Sequence, residues 1–279
     1  MRTRYLIIVA LLLGSGCQAE NALADRDVVC HLGAYQLADG EVIDINPTST
    51  QGTLRWHRVD GRTGTLRQEG NVWRGRVGWT QRDDPTEVRL GTCGTGRIFF
   101  DGKAGNKVSF AVTDTRFRGA AGVQLRGRLV MPEGDGAVPV VVLVHGSEEY
   151  SGVDYYHAQH LFPAHGIGVF VYDKRGTGQS GGRYTQDFDV LANDAVAALE
   201  VLERDPEIDV LFSDVVMPKN ISGIDLARQA MALRPGIRVL LASGYSIDQL
   251  PSFPPGCAFI PKPYRFEDLQ ARLESMGED

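Results

Sequence analysis

Asp214, Ser243 and Lys262 each stand at or just past the carboxyl end of a short apolar run. A carboxylate, a hydroxyl and an ammonium at neighbouring strand ends form a set able to accept a phosphoryl group and balance its oxygens. The first run, Val210 to Asp214, is closed by Met217-Pro218 and reads as a parallel strand buried on both faces. In open α/β sheets, ligands sit at the carboxyl ends of the strands. A carboxylate held there serves as a nucleophile or a metal ligand. The competing reading of Asp214 is a solvated loop carboxylate.

The elements that must position these groups follow from periodicity. Ile224, Leu226, Ala227, Ala230 and Met231 recur at helical spacing, and Arg234-Pro235-Gly236 ends that helix. Ile237 to Ala242 and Cys257 to Ile260 are two further buried strands, and Asp268 to Met276 is a closing helix.

Residues from about 195 to 279 resemble the second half of a response-regulator receiver domain. Asp214 matches the phospho-acceptor, Ser243 the switch hydroxyl, Lys262 the signature lysine and Phe259 the aromatic switch position. The resemblance implies magnesium, with the carbonyl of Val216 as a backbone ligand, and a histidine kinase or small phosphodonor as partner. One extra residue lies between Asp214 and Gly223. The acidic pair with which a receiver opens has no counterpart on a receiver strand ahead of this half.

Upstream, Pro139 to Val144 is a continuous apolar run leading into His145-Gly146-Ser147-Glu148-Glu149. A helix is predicted over residues 155–164. Gly168 to Tyr172 is the next buried strand, followed by the loop Asp173 to Gly182 and a long helix from Asp187 to Arg204. Residues 123–199 resemble the N-terminal part of a secreted α/β-hydrolase, with His145 to Glu148 as its oxyanion-hole loop. Gly178-Gln179-Ser180-Gly181-Gly182 satisfies G-x-S-x-G, yet a nucleophile elbow needs a strand running directly into its serine. Here the strand ends at Tyr172, so Ser180 reads as a loop residue. The hydrolase triad also places its histidine last, whereas His145, His157, His160 and His165 all precede Ser180. That triad cannot be assembled in that order.

The chain thus reads as the front of a hydrolase joined to the back of a receiver near the Asp187–Arg204 helix. The expected fold is α/β: a doubly wound, flavodoxin-like parallel sheet, composite in origin, behind a small β-rich domain. Pro139–Val144 and Gly168–Tyr172 are expected to replace the first two receiver strands, giving sheet order 2-1-3-4-5. Glu148 and Glu149 would then fall near the crevice and join Asp214 and Val216 around magnesium, which takes about six oxygens. The alternative is that both glutamates are solvated loop residues.

Residues 26–118 are β-rich, with short runs cut by turn signals at Asp60-Gly61, Gly70-Asn71 and Asp101-Gly102. Trp56, Trp73 and Trp79 read as sheet-packing residues. His31 and His57 lack a partner at metal-ligand spacing and read as structural. Cys30 and Cys93 are expected to pair, and Cys257 to be a buried core residue.

At the front, Arg2 and Arg4 precede an apolar run from Tyr5 to Leu13, which reads as a secretory signal over residues 1–24 and too short for a transmembrane helix. Ala22-Leu23-Ala24 fits signal peptidase. Gly14 to Cys17 resembles a lipobox, which would put a lipid anchor on Cys17. Export to the periplasm or cell envelope is the expectation, in conflict with the cytoplasmic phosphodonors of receivers. A net charge of −6 over 279 residues, without a basic block, argues against nucleic acid and anionic membrane surfaces. Of three candidate functions, the expected one is a receiver-like phospho-acceptor, which has the most residues present; the alternatives are an α/β-hydrolase-type protein lacking its triad and a non-catalytic envelope binding protein.

Overall fold

The computed structural model describes residues 6–11, 28–77, 82–134, 138, 140–145, 149–203, 210–215, 223–233, 235–262, 264 and 266–276. They divide into two compact units. The first described segment, Leu6–Leu11, is strand β1.

One unit holds residues 17–111 and 155–165. Its described residues form eight strands: β2 (Gly33–Leu37), β3 (Val42–Pro47), β4 (Thr53–Arg58), β5 (Thr63–Glu69), β6 (Val72–Val77), β7 (Arg82–Leu90), β8 (Arg97–Phe100) and β9 (Lys103–Lys107). Consecutive strands pair antiparallel, and β2 with β9 closes the barrel. The tight turns fall where the sequence supplies glycine at positive φ, as at Gly61 (87°) and Gly102 (77°). Period-two alternation sends Leu54 and Trp56 of β4 and Trp73 of β6 inward. There they pack with Tyr35, Ile43, Ile45, Leu66 and Phe100. Trp79 lies outside the described residues. A disulfide joins Cys30, ahead of β2, to Cys93 in the β7–β8 turn, with Cα atoms 5.7 Å apart, as the sequence led us to expect. Residues 155–165 pass over this barrel as the end of a short helix α1 (Gly152–Tyr155), a second one α2 (Ala158–Leu161) and a 3-10 turn, in place of the single predicted helix. Leu161 packs with Ala34 and Val42.

The other unit, residues 1–16, 112–154 and 166–279, is α/β. Its strands after β1 are β10 (Phe110–Arg118), β11 (Gln124–Pro132), β12 (Val140–His145), β13 (Gly168–Tyr172), β14 (Val210–Asp214), β15 (Arg238–Ser243) and β16 (Cys257–Pro261). Its helices are α3 (Phe188–Glu203), α4 (Gly223–Leu233) and α5 (Phe266–Ser275). The strands form a five-stranded sheet in the order β1-β12-β13-β11-β10 and a three-stranded parallel sheet β14-β15-β16. β12 runs parallel to both β1 and β13, while β11 is antiparallel to β13.

This corrects the expected single sheet of order 2-1-3-4-5. β12 does not pair with β14. Leu6–Leu11 pairs with Val140–His145 residue for residue and occupies that edge of β12, with β14 lying alongside β1 on its other side. An apolar run able to serve as an export signal is equally able to satisfy an open parallel edge. The two sheets nonetheless share one hydrophobic core. Val140, Val142, Phe170 and Tyr172 from the hydrolase-like part cluster with Val215, Ile224, Ala227, Val239 and Leu241 from the receiver-like part, and Ala198 of α3 belongs to the same cluster. Gly127 is fixed by this packing, because a Cβ there would sit 2.5 Å from the ring of Phe170.

Candidate functional site

The carboxyl ends of β14, β15 and β16 are built by register. Asp214 pairs with Ala242, and Ser243 with Pro261, so three consecutive parallel strands end along one edge. Backbone bonds lock the ends together: Val215 N donates to Ala242 O at 2.8 Å and Lys262 N to Ser243 O at 2.7 Å. Asp214, Ser243 and Lys262 therefore occupy neighbouring strand ends, as the apolar runs predicted. Ser243 is buried, and its Oγ accepts from Tyr245 N at 3.1 Å. Lys262 is half-buried. Phe259 is half-buried too, with its ring 5.7 Å from that of Phe253. Cys257 is half-buried on β16 and packs against the shared core. Burial raises its thiol pKa above the ordinary value.

The side chain of Asp214, all of Val216 and all of Glu148 lie outside the described residues, and Glu149 is exposed. In the barrel, one donor atom each of Cys30, His31 and Cys93 lies within 4.8 Å of the others.

The loop after β13 is organised around Asp173, which is fully buried. Its Oδ1 accepts from Ser151 Oγ at 2.6 Å and Val153 N at 3.1 Å. Its Oδ2 accepts from Gln179 N at 3.1 Å and faces Arg126 Nη1 at 3.5 Å. Arg126 reaches Asp154 as well, at 3.0 Å. A buried carboxylate bonded on both oxygens is a structural hub. Ser180 belongs to the same hub: its Oγ donates to Asp173 O at 2.6 Å and accepts from Arg126 N at 2.9 Å. Both partners are backbone, so the hydroxyl is held as a loop clamp. That agrees with the distance of Ser180 from the end of β13. Further along, Asp194 of α3 is fully buried against Arg175, at 2.6 Å, and takes Ala120 N at 2.7 Å.

Sequence reasoning missed a cluster in the barrel unit. Asp44 of β3 is fully buried with His160 Nδ1 donating to its Oδ1 at 2.8 Å. His57 Nδ1 stands 3.7 Å from Asp44 Oδ2, and neither of those two atoms has a hydrogen bond among the described residues. His157 stacks face to face on His57, ring centroids 3.7 Å apart and planes within 4°. Burial opposes ionisation of Asp44, but the charge and hydrogen bond of His160, with the charge of the nearby His57, outweigh it and hold the carboxyl down at about 2. For His157, burial and the neighbouring His57 push the imidazole down to about 3. His57 had no partner at metal-ligand spacing because its partners come from Asp44 on the adjacent strand and from a segment a hundred residues later.

Comparison with known proteins agrees with the divided character of the chain. Residues 136–213 match the family described as serine aminopeptidase, S33. A thiohydrolase, AneE, of Aspergillus aculeatus is 31% identical over 99 residues, 35% of this chain and 30% of the relative. The response regulator receiver protein CpdR of Brucella abortus is 29% identical over 87 residues, 30% of this chain and 71% of the relative. The middle of the chain resembles a serine hydrolase, and another part resembles a receiver. Among solved structures, an esterase of Pyrococcus furiosus aligns with TM-score 0.36 and 13% identity over 61% of this chain and 91% of its own. A protein of unknown function from Agrobacterium tumefaciens, assigned to the α/β-hydrolases, aligns with TM-score 0.34 and 18% identity over 60% of this chain and 80% of its own. The chain spans less than a third of the length of the thiohydrolase relative. Among the described residues no helix is long and apolar enough to cross a membrane.

Proposed function

We propose that the chain is an exported α/β-hydrolase-type protein, peptidase- or esterase-like in its sheet, whose hydrolytic triad is incomplete. One observation carries this reading. The loop after β13 closes the hydroxyl of the G-x-S-x-G serine onto the Asp173 carbonyl and the Arg126 amide, so that among the described residues its bonds go to backbone and not to an imidazole that would activate it. The S33 family match over residues 136–213 supports the hydrolase type. The chain order of its histidines, all ahead of Ser180, supports the missing triad. Incubation with a fluorophosphonate probe, p-nitrophenyl esters and aminoacyl p-nitroanilides tests it. The expected outcome is no covalent adduct and no turnover beyond that of Ser180→Ala. An adduct mapped to Ser180, with turnover lost in Ser180→Ala, would overturn the reading.

A second reading rests on the alignment of β14, β15 and β16, which sets Asp214, Ser243 and Lys262 at one edge. Asp214 would attack the phosphorus of a small phosphodonor or a phosphohistidine, the donor's leaving group departing with its electron pair. Lys262 would offset the charge of the phosphoryl oxygens, and Ser243 would hydrogen-bond one of them. Intact mass after acetyl phosphate, with and without added magnesium, is the test. One added phosphoryl group, absent in Asp214→Asn, supports phospho-acceptance. An unchanged mass in both conditions removes it and leaves the strand ends as scaffold.

A further inference from the structure

Cys30 and Cys93 close a loop across the barrel, and a third donor stands with them. His31 Nε2 lies 3.8 Å from Cys93 Sγ. One donor atom from each of Cys30, His31 and Cys93 falls within 4.8 Å of the others. Tetrahedral zinc, with bonds of about 2.3 Å to sulfur and about 2.05 Å to nitrogen, sets sulfur and nitrogen about 3.6 Å apart and two sulfurs about 3.8 Å apart. The His31–Cys93 separation already meets the first requirement. The second needs only rotation of the two cysteine side chains once they are no longer bonded.

The backbone around these residues is pinned independently of the sulfur bridge. Tyr35 Oη donates to His31 O at 2.9 Å, His31 N to Val28 O at 2.9 Å and Lys107 Nζ to Cys30 O at 2.9 Å. On the other side, Thr95 Oγ1 donates to Thr92 O at 2.7 Å across the turn that carries Cys93. These bonds do not depend on the disulfide. His31 is buried, with its Nε2 turned towards Cys93 Sγ.

We propose that the reduced barrel binds a thiophilic ion such as zinc through Cys30 Sγ, Cys93 Sγ and the His31 imidazole, so that disulfide and metal are alternative closures of one site. A dithiol reductant supplies two electrons and two protons to the cystine and leaves as its own disulfide. The ion then displaces the two thiol protons to solvent as two sulfur–metal bonds form. Three protein donors leave a fourth position for water or another ligand.

The test uses the full chain, reduced and desalted without oxygen, with cobalt(II) as a spectroscopic probe and zinc as competitor. The reduced protein is expected to take up one equivalent of cobalt with a thiolate charge-transfer band and tetrahedral visible bands, both erased by zinc. The oxidised protein is expected to show neither. Cys93→Ser is expected to abolish the bands, His31→Ala to weaken binding at least about tenfold, and Cys257→Ala to leave both unchanged. Tryptophan fluorescence and circular dichroism report whether the reduced barrel stays folded. No cobalt band, a band that persists in Cys93→Ser, or a reduced barrel that is unfolded with and without metal would each overturn the proposal.

Discussion

Replacing His157 should remove most of the acid sensitivity of the barrel unit. The ordinary imidazole value is 6.5 and in the fold His157 is held at about 3. Between those two values the unfolded chain carries a proton that the folded chain refuses. Stability is therefore complete above pH 6.5 and falls as the pH drops towards 3, at about 1.4 kcal/mol per pH unit. Taken from pH 7 to pH 5, this one group costs up to about 2 kcal/mol. Asp44 adds nothing in that window, because its carboxyl lies at about 2 against an ordinary 3.8, so its contribution is lost only below pH 4. Phenylalanine keeps a ring to stack on His57 and cannot take a proton. Urea unfolding followed by the fluorescence of Trp56 and Trp73 should show a wild-type stability lower by up to about 2 kcal/mol at pH 5, and in His157→Phe most of that difference should vanish. An equal loss in wild type and variant would refute the reasoning, since the proton uptake would then lie elsewhere.

Ser180→Ala should lower stability by about 1–3 kcal/mol by leaving the Arg126 amide unbonded, seen as a lower melting temperature with ester turnover unchanged. Asp194→Ala leaves the Arg175 guanidinium without its buried partner and should cost about 3–5 kcal/mol in a urea titration, with Asp194→Asn costing less. Gly127→Ala forces a methyl group into the ring of Phe170 and should destabilise the α/β unit by about 1–3 kcal/mol, with no change in cobalt uptake by the reduced barrel. A chain starting at Asp25 lacks β1 and its parallel ladder to β12, in which each hydrogen bond contributes about 1 kcal/mol net. Its α/β unit should unfold at lower urea than the full chain while the tryptophan signal of the barrel stays put, and coincident midpoints for the two chains would count against β1 as a structural strand.

What the sequence made legible were the elements with a strong local signal. The apolar runs of β12 to β16 and the periodic faces of α3, α4 and α5 lie within a few residues of their predicted ends, because a strand or helix buried on both sides must be apolar along its length. The strand-end positions of Asp214, Ser243 and Lys262 followed from those runs. Ser180 was set aside on the same local grounds, since too many residues separate it from β13. Non-local pairing was not legible. Leu6–Leu11 has the same apolar character whether it is an export signal or a strand, and its partners in β12 lie far along the chain. Barrel closure joins β2 to β9 across more than sixty residues. The Asp44 cluster depends on His157 and His160, which follow Asp44 by more than a hundred residues, and no spacing rule reaches that far.

The hydrolase-like and receiver-like parts share one core and are therefore expected to unfold as one body. Native-state hydrogen exchange tests it most directly, by comparing the amides of Val169 to Val171 in β13 with those of Val239 to Leu241 in β15 as denaturant rises. The shared cluster predicts that both sets exchange through the same global opening, with equal free energies and equal denaturant dependence. Exchange from β15 at a markedly lower free energy, with β13 still protected, would show two separately folding halves and contradict the account.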